Sequence, residues 1–212
     1  MMAVRQFTRL DPSVVHRNLE RIRERVGEQV EILAATKYVP AEEMGALAEA
    51  GVTLVGENRL QDLEAKRERW GDDFTWDFIG NLQSRKVRRI VPLVRLIHSV
   101  ATDSVLEQLG KHGESDAAVL VEVNLSGEES KGGVPPDRLA DFIERCPARV
   151  EGLMTMPPFA EDPEASRPYF ARLAELAGEH GLPRLSMGTS QDWPVAVEEG
   201  ATTIRLGTTL YT

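Results

Sequence analysis

Apolar residues recur at helical spacing between residues 11 and 26, where Val15, Leu19, Ile22 and Val26 share one face and charged residues the other. Asp11 stands where an N-cap is needed and Pro12 at the first helical position, so the segment predicts an amphipathic helix with a defined start. Beyond it the pattern changes to short apolar runs, each followed by a helical stretch that opens near a proline, an aspartate or another polar residue. Predicted strands cover residues 32–37, 53–57, 76–79, 95–99, 118–124, 150–155, 184–187 and 202–206. Predicted helices between them cover residues 41–50, 60–70, 82–90, 104–111, 138–145, 167–179 and 194–199. Several of these end at a glycine, namely Gly51, Gly71, Gly113, Gly181 and Gly200.

Alternating strands and helices require parallel pairing, because each crossover helix returns the chain to the same end of the sheet. Right-handed crossovers around eight strands close that sheet, so the expected fold is an α/β TIM-type (β/α)8 barrel with an extra N-terminal helix. Little sequence follows the eighth strand, and the N-terminal helix is expected to cover the position of the eighth outer helix. An open, doubly wound sheet is the structural alternative. No linker or repeat divides the chain, so residues 1–212 are expected to form a single domain, with residues 157–163 as a loop after the sixth strand.

Composition narrows the possibilities. The 212 residues carry a net charge of −9 and are 42% hydrophobic, and a chain of this size buries roughly 70% of its unfolded surface, enough for a core without disulfides or metals. Cys146 is the single cysteine, which removes any internal disulfide and every cysteine-based zinc pattern. No apolar run approaches the ~20 residues that span a bilayer, and the opening MMAVRQFTRLDPS lacks the apolar core of a secretory signal. The expectation is a cytoplasmic protein without membrane or nucleic-acid partners. Arg85, Lys86, Arg88, Arg89 and Arg95 form one basic cluster, read as a solvated helix face.

In such a barrel the reactive face lies at the carboxyl ends of the strands. The predicted strands deliver Lys37, Asn58, Gly80, Asn81, Ser99, Asn124, Met154, Thr155, the 186–190 loop and residues 205–208 to that face. This set contains neither a carboxylate pair nor a cluster of metal ligands. Lys37 ends the apolar run ILAATK, and partial desolvation in the barrel mouth would favour a neutral amine able to attack an aldehyde. The segments SMGTS and RLGTT follow the last two strands, the usual phosphate-binding place in these barrels. Their glycines permit close backbone approach, and Ser190 and Thr208 add hydroxyl donors. An aldehyde-reactive lysine facing a phosphate cup points to pyridoxal 5′-phosphate (PLP).

The segments ATKYVP, VGEN, WDFIGNLQSRK, VEVNLSGEESKGG, VEGLMTM, LSMGTSQDW and IRLGTTLY occur here in the order seen in the pyridoxal phosphate homeostasis proteins, which the chain resembles from about residue 30 onward. That family looks like the barrel domain of alanine racemase standing alone. The resemblance implies that Lys37 is the Schiff-base lysine and Asn58 the amide beside the cofactor ring. It implies that Ser190, Gly207 and Thr208 contact the phosphate, with Ser186 and Met187 nearby, that Arg205 faces the pyridine nitrogen, and that Met154 lines the pocket. Family members often carry histidine where this chain has Asp77 or Asn81.

An arginine at the pyridine nitrogen is a permanent cation, so that nitrogen stays unprotonated and the ring is a poor electron sink. No second domain supplies an acid–base group for the other face of the cofactor. The expected function is therefore PLP carriage and buffering, not catalysis, by a monomer that hands the cofactor to PLP-dependent apo-enzymes. The alternatives are a single-domain racemase or decarboxylase acting on amino acids, and a scaffold that merely retains the pocket. Tyr38 and Tyr211 read as rim residues, and His16, His98, His112 and His180 as surface or satisfied histidines without ligand spacing. Cys146 has no neighbouring histidine and reads as inert, and GEESKGG reads as a loop after the fifth strand.

Overall fold

A computed structural model describes residues 6–112, 117–128 and 132–212. The expected helix end at Gly113 and the centre of the GEESKGG loop lie outside the described residues. Eight parallel strands form a closed barrel in sequence order: β1 (Glu31–Ala35), β2 (Leu54–Glu57), β3 (Thr75–Phe78), β4 (Leu96–Val100), β5 (Ala118–Glu122), β6 (Arg149–Met154), β7 (Arg184–Thr189) and β8 (Thr203–Leu206). Closure is direct, since Ala34 of β1 pairs with Val55 of β2 on one side and with Leu206 of β8 on the other. The barrel excludes the open doubly wound alternative.

Helix α1 (Pro12–Val26) begins as its sequence requires: Asp11 Oδ1 accepts from the Ser13 N–H at 2.9 Å and from the Ser13 hydroxyl at 2.7 Å. Its apolar face, Val15, Leu19, Ile22 and Val26, is buried. The helix runs beside α2 (Met44–Glu49), where His16 Nδ1 donates to the Ala50 carbonyl at 3.1 Å. Its other flank meets α8 (Trp193–Glu198), with Arg25 stacked 4.9 Å from the Trp193 ring. The four-residue α9 (Thr208–Tyr211) follows β8, and Asn18 of α1 donates to the Leu210 carbonyl at 3.2 Å. The N-terminal helix therefore fills the eighth outer position.

The remaining outer helices are α3 (Leu60–Trp70), α4 (Val87–Ile90), α5 (Asp103–His112), α6 (Leu139–Arg145) and α7 (Arg167–Glu179). The segment expected as one helix over residues 82–90 is instead a 3-10 turn at Ser84–Lys86 running into α4, with a second 3-10 turn at Val91–Leu93. Gly51, Gly181 and Gly200 end helices with positive φ, whereas Gly71 ends α3 in the right-handed region at φ −58°. No helix among the described residues is long and apolar enough to cross a membrane.

Outward-facing residues such as Val55, Phe78, Ile97, Val121, Leu153 and Ile204 pack against the helices in one continuous core. The barrel interior differs: Leu96, Ala118, Leu120 and Met154 form a small separate apolar cluster, and polar side chains fill much of the rest. The basic cluster is also divided. Arg89 pairs with Glu64 at 2.7 Å, while Arg95, itself exposed, pairs with Glu31 at 2.5 Å and Asp77 at 2.7 Å.

Candidate functional site

The carboxyl ends of β1, β2, β3, β7 and β8 open onto a cleft of about 540 Å3. Lys37 and Tyr38 enter it from the turn after β1, Asn58 from the end of β2, and Gly80 and Asn81 from the end of β3. The opposite wall is Ser190 after β7 with Arg205, Gly207 and Thr208 at and beyond the end of β8. Residues separated by up to 171 positions in the chain thus meet because each lies just past a strand of one parallel barrel.

Lys37 lies two residues past β1, not on the strand, and is exposed. Its Nζ sits 4.9 Å from the Tyr38 ring centre, and the residue stands in solvent instead of being enclosed by the barrel mouth. Asn58 is half-buried, and its Oδ1 is fully buried with no hydrogen-bond partner among the described residues. A buried polar atom without a partner calls for one, and Asn58 as a residue lines the cleft. Gly80 makes that placement possible, since a Cβ there would lie 2.1 Å from the Asn58 carbonyl oxygen.

Across the cleft, Ser190 Oγ accepts from the N–H groups of Gly207 at 3.1 Å and Thr209 at 3.3 Å. A Cβ on Gly207 would meet only the Ala35 carbonyl, at 3.7 Å, so glycine there keeps volume open at the cleft wall. Arg205 is 6% exposed and donates to Ser186 Oγ at 2.5 Å and to the Thr155 carbonyl at 3.1 Å. Burial lowers its pKa to about 10, against the pull of Asp192 and Glu122, which leaves a cation at neutral pH. Burial raises the carboxyl of Glu122 above its ordinary value, and Arg205 draws it partly back.

Three residues expected at the site do not line the cleft. Ser186 lies beneath Arg205, fully buried in the barrel. Met154 belongs to the interior apolar cluster, and Met187, one residue on from Ser186, faces the opposite way into the core between sheet and helices. Tyr211 is not a rim residue: it is buried, its hydroxyl donates to the Ala35 carbonyl at 3.2 Å, and burial pushes the phenol above its ordinary pKa. Cys146 is half-buried after α6, with its thiol pushed up by burial.

Beneath the cleft lies a chain of polar contacts that sequence reading passed over. Burial lowers the pKa of His98, and although burial alone would raise Asp77, hydrogen bonds from His98 and Arg95 hold that carboxyl below its ordinary value. An ionised Asp77 can only accept, so His98 Nε2 carries the proton and donates to Asp77 Oδ2 at 3.1 Å. His98 Nδ1 then accepts from the Ser186 hydroxyl at 2.8 Å, and that hydroxyl oxygen accepts from Arg205. On the far side, Arg95 donates to Asp77 Oδ2 at 2.7 Å and to Glu31 Oε1 at 2.5 Å. The signal available in the sequence was parity alone: Asp77, His98, Ser186 and Arg205 occupy the inward positions of their strands.

The other end of the barrel holds a cleft of about 600 Å3 lined by Leu19, Val30, Ile32, Val52, Leu54 and Arg95. It contains none of the expected residues, and Arg95 there is engaged by both Glu31 and Asp77. No group of three or more histidine, cysteine, aspartate or glutamate residues suited to a metal ion occurs among the described residues.

Residues 10–212 match the family described as alanine racemase, N-terminal domain. The chain is 42% identical over 215 residues to the pyridoxal phosphate homeostasis protein of Aquifex aeolicus, an alignment that covers 92% of this chain and 94% of that protein. It superposes on PipY of Synechococcus elongatus PCC7942, a structure with PLP bound, with a TM-score of 0.82 and 32% identity over 93% of this chain and 100% of that one. Alanine racemase from Corynebacterium glutamicum shares the fold, with a TM-score of 0.74 at 17% identity over 95% of this chain and 61% of the racemase. The chain therefore belongs to the alanine racemase N-terminal domain family and, within it, to the pyridoxal phosphate homeostasis proteins.

Proposed function

We propose that this chain is a carrier and buffer for pyridoxal 5′-phosphate, acting as a single domain, a cytoplasmic monomer that exchanges the cofactor with PLP-dependent apo-enzymes. The observation that carries this reading is convergence: an accessible lysine, an unpaired amide oxygen, a hydroxyl-and-amide cup and a buried guanidinium share one cleft. When bound, the cofactor supplies an aldehyde that links reversibly to a primary amine with loss of water. Lys37 supplies the amine. Asn58 offers its Oδ1 at the cleft edge, Ser190 and Thr208 offer hydroxyls for a phosphate, and Gly207, whose own N–H is bound to Ser190 Oγ, leaves room for the phosphate to approach the backbone.

Arg205 favours carriage over catalysis. As a buried cation it keeps protons off any basic nitrogen placed against it, and a pyridine nitrogen so held draws electrons weakly. Tyr211 is not free to serve as a base, since its hydroxyl is committed to the Ala35 carbonyl inside the core. Ser186 and Met154 then act as support beneath the site, and Met187 as a core residue.

The test loads the protein with PLP and follows two readouts. Incubation with a PLP-dependent apo-enzyme should restore that enzyme's activity, while incubation with single amino acids should give no racemisation or decarboxylation. Turnover of an amino acid that disappears in Lys37→Ala would establish the racemase or decarboxylase alternative instead.

A further inference from the structure

Thr36, the residue between β1 and Lys37, is held on every side. Its N–H donates to the Gly56 carbonyl at 3.0 Å, and its hydroxyl donates to Glu57 Oε1 at 2.6 Å. Its carbonyl accepts from Lys66 Nζ at 2.8 Å and from the Val39 N–H at 2.8 Å, which closes the turn that presents Lys37. Lys66 of α3 and Glu57 of β2 are themselves an ion pair between sheet and helix, 5% and 0% exposed. One residue upstream, the Ala35 carbonyl accepts from the Tyr211 hydroxyl. Lys37 itself is exposed, so its backbone is fixed while its side chain is not.

A buried ion pair is weak evidence of stabilisation, because apolar residues of the same size avoid its desolvation cost. Directional bonds are what it adds here, and both partners spend them on Thr36, Lys66 on its carbonyl and Glu57 on its hydroxyl. We propose that the Glu57–Lys66 pair is a positioning device that sets the Lys37 backbone so that its amine reaches the carbonyl carbon of a phosphorylated aldehyde held at Ser190, Gly207 and Thr208. The proposal rests on the reading of Lys37 given above. In the linkage step the Lys37 nitrogen adds to that carbon and a carbon–nitrogen double bond forms. The carbonyl oxygen leaves as water with the two amine hydrogens, and nothing is oxidised or reduced. The same contacts keep Lys66, which borders an adjoining hollow of about 260 Å3 together with Lys37, from competing for the aldehyde.

The experiment compares binding of pyridoxal 5′-phosphate with that of pyridoxine 5′-phosphate, whose alcohol replaces the aldehyde and cannot link to an amine. Thr36→Val removes the hydroxyl with little change of shape, Thr36→Ser restores it, and the double variant Glu57→Gln, Lys66→Met removes both charges together. The proposal expects Thr36→Val and the double variant to bind the aldehyde about tenfold more weakly, to bind the alcohol as the unaltered protein does, and Thr36→Ser to recover. Unchanged aldehyde binding, or equal weakening for both ligands, would overturn the positioning role. An unaltered protein that binds aldehyde and alcohol equally would instead overturn the reading of Lys37 as the linking residue.

Discussion

His98 and Ser186 lie 88 positions apart in the chain and 2.8 Å apart inside the barrel, and their contact joins the cation at the cleft to the carboxylate at its core. Through it, Arg205, Ser186, His98, Asp77, Arg95 and Glu31 form one path from the cleft to the opposite end of the barrel. Each donor in that path has an acceptor, so the interior holds ionised groups without leaving those contacts unpaired.

Removing the joint should be costly. Ser186→Ala takes the acceptor from a buried guanidinium and the donor from a buried imidazole, and is expected to lower the unfolding free energy by about 1–3 kcal/mol in urea titrations. A variant as stable as the unaltered protein would show that Ser186 is not a working link.

The pH dependence has a defined sign. Burial depresses the folded-state pKa of His98 below the 6.5 of an unburied imidazole, so below that pH the unfolded chain takes up a proton that the folded chain resists. The contribution of the neutral ring is complete above 6.5 and is lost as pH falls from there through the folded value. Asp77, also depressed, loses its contribution lower down, as pH falls below 3.8 through its own folded value. Unfolding free energy measured from neutral pH downward should fall below 6.5, and His98→Asn should flatten that slope. An unchanged slope in the variant would contradict the assignment of a neutral His98.

Gly80 and Asn58 are coupled by space. Gly80→Ala would put a Cβ 2.1 Å from the Asn58 carbonyl oxygen and 2.6 Å from its Cα, so the backbone at the cleft must shift. Overpacking of this kind costs about 1–3 kcal/mol, and weaker PLP binding should accompany it. Calorimetry and a binding titration on the same variant check both parts.

Asn58 itself separates binding from stability. Its Oδ1 has no hydrogen-bond partner among the described residues, so Asn58→Ala should change unfolding free energy by no more than about 0.5 kcal/mol while weakening PLP about tenfold. A large stability loss with unaltered PLP affinity would assign Asn58 a structural role.

Much of this architecture was legible in the residues. The eight strands show because their outward faces, as in Val119, Val121 and Val123 near β5, are continuously apolar, and α1 shows because Asp11, Pro12 and its four-residue apolar stripe agree. Lys37, Asn58, Ser190, Arg205, Gly207 and Thr208 were legible as strand-end residues, and the barrel brings them to one cleft. Met154 and Met187 were not separable from these because both faces of a barrel strand are buried, and apolar composition does not reveal which way a residue points. The contacts of Asp77 with His98, 21 positions away, and of His98 with Ser186 are set by barrel closure, and no local spacing announces them. The Glu57–Lys66 pair was hidden for a similar reason, since it joins a strand to the helix packed on its outer face.

Reduction with borohydride in the presence of PLP, followed by peptide mass mapping, tests the central claim most directly. The account predicts a long-wavelength absorption band that free PLP lacks, and after reduction a single adduct on Lys37. No such band, or an adduct spread over many lysines, would contradict it.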